Sequence, residues 1–178
     1  MMDSNDIYRN QVKENNEFSS WAGRTRASAQ EGEVRITDLN VPPDLVKGLE
    51  LETKEELPPA DRQQRIIRYI YSSPGEAGRQ RLILTVFACN SLSDAHETLI
   101  DVVMTYMAPK LLRCESKGLE IGDICFGGYG EVNLSVIFAR FNILAEIKSV
   151  GPAPTPVDEY ARSLDSLILS QSRSTSGA

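Results

Sequence analysis

At 178 residues, with 41% apolar and 25% charged side chains, the chain has the make-up of one ordinary domain with tails, able to bury a core without metal or disulfides. A net charge of -6 and a pI near 4.9 set its surface against phosphate backbones, which disfavours nucleic-acid binding. No apolar run approaches the roughly 20 residues that span a bilayer.

The start, Met1 to Asp6, has neither the basic region nor the apolar core of a signal peptide. The expected location is therefore the cytoplasm, or an exported site reached after a leader is removed. Cys89, Cys114 and Cys125 make an odd set with no metal-ligand spacing. They read as core thiols, with one disulfide plus a spare thiol as the alternative.

Residues 1–30 form a polar N-terminal arm, residues 31–169 a single domain, and residues 170–178 a serine-rich flexible tail. The arm reads as mobile, or else as docked through Trp21, the only tryptophan. Glu33 to Leu39 alternates apolar and polar residues and predicts a strand ended by Pro42-Pro43. Leu45 to Leu51 is a weak strand or turn, and acidic Glu52 to Asp61 is a loop.

Arg62 to Ser73, rich in isoleucine and tyrosine, and nearly continuous apolar Arg81 to Cys89 predict a hairpin, its second strand central in the sheet. Ser91 or Ser93 caps a helix whose apolar stripe runs Leu92, Ala95, Leu99, Val102, Val103, Tyr106, Met107, until Pro109 stops it. Ile121 to Phe126 is a short strand, and Gly127-Gly128-Tyr129-Gly130 a loop. Val132 to Phe138 and Ile143 to Lys148 form a second hairpin turning at Arg140-Phe141-Asn142, with Asn142 suited to a left-handed conformation. Its register should be firm, because a slip would bury Glu146 and Lys148. Thr155 as N-cap and Pro156 at the first helical position open a second amphipathic helix along Val157, Tyr160, Ala161, Leu164, Leu167 and Ile168. The expected fold is α+β: an antiparallel sheet of about six strands packed by two amphipathic helices.

Gly122-Asp123, the strand end Phe138-Ala139-Arg140-Phe141-Asn142 and the helix start Val157-Asp158-Glu159-Tyr160-Ala161 with Leu164-Asp165 resemble the PsbP-like (Mog-like) α+β group over about residues 62–169. Members of that group are mostly binding or accessory modules. The resemblance therefore implies a partner-binding role and supplies no catalytic residues.

Little in the sequence points to chemistry. His96, the only histidine, lies off the apolar stripe and reads as a solvated helix residue rather than a catalytic one. Asp94, Glu97 and Asp101 share a helix face that could hold a divalent cation weakly; the plainer reading is a solvated face. The glycine loop lacks the Lys-Ser/Thr of a phosphate loop. Asp123 reads as structural, capping loop amides or meeting Arg140. Arg62, Arg65, Arg68, Arg79 and Arg81 form a basic strip, which either protects an edge or meets an acidic partner or lipid head group.

Three functions follow in order. The first is a non-enzymatic module of the inhibitor, immunity or accessory-subunit type that binds a protein, touching it through Arg65, Arg68, Tyr129 and Trp21, with homodimerisation left open. The second is a small-molecule or lipid carrier with a pocket between sheet and helices, lined by Met104, Met107, Tyr69 and Tyr71. The third is an enzyme using a cleft of Asp123, Glu131 and Glu146. No catalytic, cofactor or metal site is expected.

Overall fold

The computed structural model describes residues 3–22, 35–74, 80–106, 108 and 110–175. Its frame is a seven-stranded antiparallel sheet of order β1-β2-β3-β7-β6-β5-β4. The strands are β1 (Glu50–Leu57), β2 (Gln63–Ser72), β3 (Arg81–Cys89), β4 (Leu112–Arg113), β5 (Ile124–Gly127), β6 (Ser135–Arg140) and β7 (Ile143–Ser149). The long helices among the described residues are α1 (Ser4–Asn15), α2 (Leu92–Thr105) and α3 (Asp158–Thr175).

Both expected hairpins form. β2 and β3 pair from Ile66↔Phe87 to Ser72↔Arg81, and β6 and β7 from Ser135↔Lys148 to Arg140↔Ile143. β3 lies between β2 and β7, as its continuous apolar run requires. Ser91 caps α2, its Oγ accepting from the Asp94 amide at 3.1 Å.

The helices divide between the two faces. Leu99, Ile100 and Val103 of α2 meet Ile137, Ala139 and Leu144 on one face. Val157, just before α3, and Ala161, Leu164 and Ile168 of α3 share the other layer with Val136, Phe138, Ala145 and Ile147. The alternating residues of β6 and β7 thus serve two cores, which fixes their register from both sides.

Several expectations change. Glu50–Leu57, read largely as loop, is the edge strand β1. It escapes the apolar pattern because an edge strand is solvated and its charges are matched: Glu56 pairs with Arg65, Glu55 with Arg68 and Glu52 with Arg81. The expected strand at 33–39 is absent over its described residues, 35–39; residues 33 and 34 lie outside them. Residues 35–49 instead form an irregular strap, burying Ile36, Leu39, Val41, Val46 and Leu49 against the sheet.

The strap explains the second hairpin turn. Asn142 spends its amide on the strap, accepting from the Ile36 N–H and donating to the Ile36 carbonyl, both at 2.8 Å, and also donating to the Cys89 carbonyl. The left-handed residue is Phe141 instead (φ 54°), its N–H held by Asp123 Oδ2 at 2.8 Å.

Thr155 does not cap α3. Its Oγ1 donates to the Ala153 carbonyl, and the helix starts at Asp158, beyond Pro156. α3 also runs to Thr175, through most of the stretch read as a flexible tail. The core-thiol reading holds for buried Cys89 alone: Cys114 and Cys125 form a disulfide, leaving Cys89 as the spare thiol.

Candidate interaction surface

The polar arm does not float. α1 lies on α2 through Arg9 and Lys13, which pair with Glu97 at 2.6 and 2.9 Å, and Arg9 also pairs with Asp101. After α1 the helical turn at 18–22 drives Trp21 into the core, edge-on to Phe18, His96 and Phe126. Trp21, expected as a partner contact, is 3% exposed and is a core anchor instead. The same cover overturns the solvated reading of His96, which is 0% exposed. α2 buries a second face because α1 and the Trp21 turn lie on it, and no apolar stripe reports that. The Asp94, Glu97, Asp101 face is likewise not free: Glu97 and Asp101 are taken up by Arg9, Lys13 and Arg62. No group of metal-ligating side chains occurs among the described residues.

The arginine strip is also committed. Arg65 reaches Asp38 at 2.7 Å and Glu56 at 3.1 Å, and Arg68 reaches Glu55 at 3.2 Å, so neither presents an unmatched charge. Arg79 lies outside the described residues.

The carboxylates proposed for a cleft are separated. Asp123, pushed up by burial and eased by the Phe141 amide and Arg140, lies in a network where Arg140 also grips Asp165 of α3. Glu146 lies by the end of α2, bonded by the Tyr106 hydroxyl and by Lys148 at 2.8 Å. Glu146 is only 9% exposed, so the solvent-facing side expected for it is in fact covered. Glu131 is exposed on the glycine loop. Met104 packs into the α2 layer whereas Tyr69 and Tyr71 belong to the opposite one, so they line no common pocket; Met107 is outside the described residues.

The remaining expected contact, Tyr129, marks a built feature. Cys114–Lys117 is a 3-10 turn ended by left-handed Gly118, and the disulfide ties its first residue to β5. From the end of that turn the Lys117 ammonium donates to the carbonyls of Gly128 and Gly130 and to Asn133 Oδ1. Asn133, 3% exposed, passes the tether on: its Nδ2 donates to Asp158 at 2.7 Å and its carbonyl accepts from the Val157 amide. Gly127 makes this packing feasible, since a Cβ there would lie 2.7 Å from Asn133 Oδ1.

The loop so fixed shows apolar groups to water. The exposed large apolar side chains among the described residues are Ile7, Tyr129, Val132, Leu134 and Val150. All but Ile7 sit here: the first three loop residues lie within 128–134, and Val150 follows Ser149, whose N–H bonds the Leu134 carbonyl at 2.8 Å. Their exposures run from 39% to 62%. The sequence showed the glycines and Tyr129, but Val132 and Leu134 read as strand residues facing a core. The sheet stops at Ser135, which leaves both outside it.

No protein-family model matches the chain, and no curated protein or solved structure is significantly similar to it. No helix among the described residues is long and apolar enough to cross a membrane.

Proposed function

We propose that this chain is a non-enzymatic accessory module that binds a protein partner through the 128–134 loop and Val150. One observation carries the reading: Tyr129, Val132 and Leu134 are exposed on one loop, with exposed Val150 beside it, and that loop is held by Lys117 on its carbonyls and by buried Asn133. Apolar side chains on a mobile loop would lose ordering entropy on binding; here that entropy is already spent in folding. Exposed apolar clusters with polar surroundings are where protein contacts concentrate; polar neighbours here are Glu131 in the loop, Lys110, whose carbonyl accepts from the Tyr129 hydroxyl, and Asp158, bonded by Asn133. The PsbP-like resemblance, which implies accessory modules, agrees with this reading.

A photo-crosslinking amino acid at position 132, compared with positions 7 and 170, tests it in cells that make the protein. A discrete adduct from 132 alone, containing a second kind of chain, is expected. Equal adducts from all three positions, or only adducts between two copies of this chain, would remove the reading.

A further inference from the structure

The strap at 35–49 covers an anomaly. Tyr69 and Tyr71 lie two residues apart on β2, so both rings point to the same face of the sheet, flanked by Leu82 and Leu84 on β3 and by Leu51 and Lys54 on β1. They are 1% and 0% exposed, and neither hydroxyl has a hydrogen-bond partner among the described residues. Buried polar atoms are rarely left so, and two neighbouring ones on a single strand are rarer.

The cover above them differs from the rest of the core. Residues 35–49 have no strand pairing and no helix. Their described polar ties are made largely by side chains: Asn142 to both backbone groups of Ile36, Arg65 to Asp38, Gln171 to the Asn40 carbonyl and Tyr160 to the Lys47 carbonyl. Such a segment can lift without breaking the sheet.

We infer that the strap is a lid over a binding site for a small apolar molecule carrying an uncharged oxygen acceptor, such as an ester or amide carbonyl, which receives the Tyr69 and Tyr71 hydroxyls. The acceptor is uncharged because an anion sealed among these apolar side chains would lose its hydration. Burial pushes both phenols up, eased at Tyr69 by Arg65 and taking Tyr71 to about 12, so both remain protonated donors at physiological pH. The remaining contacts are apolar: Leu82, Leu84 and Val86 beneath, and Leu39, Val41 and Val46 from the lid. This site is independent of the loop that contacts the partner.

The test uses delipidated full-length protein with 1-decanoyl glycerol as the probe and decanoate as the anionic comparison. The probe should raise the Tm and slow amide exchange across residues 36–49, while decanoate does neither. The double variant Tyr69→Phe with Tyr71→Phe should keep or raise the Tm of the empty protein, since it removes unsatisfied groups, and should bind the probe about tenfold more weakly. Absence of any probe effect on the wild type overturns the inference, as does equal binding by the double variant. A double variant that is less stable when empty also overturns it, because the hydroxyls would then have partners inside the protein already.

Discussion

Lys117 and Asn133 hold one another across the glycine turn: the ammonium donates to Asn133 Oδ1 at 3.0 Å while also reaching the carbonyls of Gly128 and Gly130. One side chain thus replaces the backbone ladder that the loop at 128–134 lacks. Replacing Lys117 with Met keeps the stem and removes three charged hydrogen bonds. The half-exposed ammonium makes the expected loss about 2 kcal/mol, read by urea unfolding. Amide exchange should quicken over 128–134 and stay unchanged in β2 and β3.

Gly127 sets the clearance for that network. An alanine there brings a methyl group to 2.7 Å from Asn133 Oδ1, and the buried carboxamide is tied to both Lys117 and Asp158. Gly127→Ala should cost about 1–3 kcal/mol by overpacking. Gly128→Ala, where a Cβ meets nothing within 4 Å, should cost far less. Equal losses from the two would show that the approach to Asn133 is not what demands glycine.

The disulfide is the lever behind the lysine. With Cys114 and Cys125 paired and Cys89 free, thiol titration of the unfolded, unreduced chain should find one thiol, and titration of the native protein none, since Cys89 is buried. Burial pushes the Cys89 thiol up to about 12, which further suppresses its reactivity. Reduction should lower stability by about 3 kcal/mol on the chain-entropy account of a short closed loop.

Acid should loosen the N-terminal clasp. Burial pushes the Glu97 carboxyl up, but hydrogen bonds from Lys13 and Arg9 outweigh it and hold the group below its ordinary value. A carboxyl with a depressed folded-state pKa contributes stability above its unfolded pKa and loses it as pH falls through the folded value. Trp21 emission should therefore shift in acid as α1 leaves α2. The variant Glu97→Gln should show the looser state at neutral pH, with a cost of about 1 kcal/mol, and lose that part of the acid response.

The parts of the fold visible in the sequence are those where one physical signal decides. Continuous apolar β3 could only be central, and Ser91 with Asp94 could only open a helix. What escaped needed two parts of the chain at once. β1 carries acids on both faces because it is an edge, and those acids make sense only beside Arg65, Arg68 and Arg81 of its neighbours. His96 is buried by residues at the far end of the chain, and Glu146 by Tyr106. In the candidate surface, the glycines and Tyr129 were visible, whereas nothing in the sequence set Lys117 apart from the other lysines. Its role depends on a turn pinned by a disulfide that an odd cysteine count argued against.

The central claim is that the apolar side chains of the fixed loop make the contact with another protein. Its most direct measurement is the affinity of the partner cross-linked from position 132 for the wild type and for the double variant Val132→Asp with Leu134→Asp. Both residues are exposed, so the stability of the variant should stay within about 0.5 kcal/mol of wild type and its Tm nearly unchanged. The account predicts at least a hundredfold loss of affinity, about 2.7 kcal/mol. Unchanged affinity in a variant of unchanged Tm would contradict it.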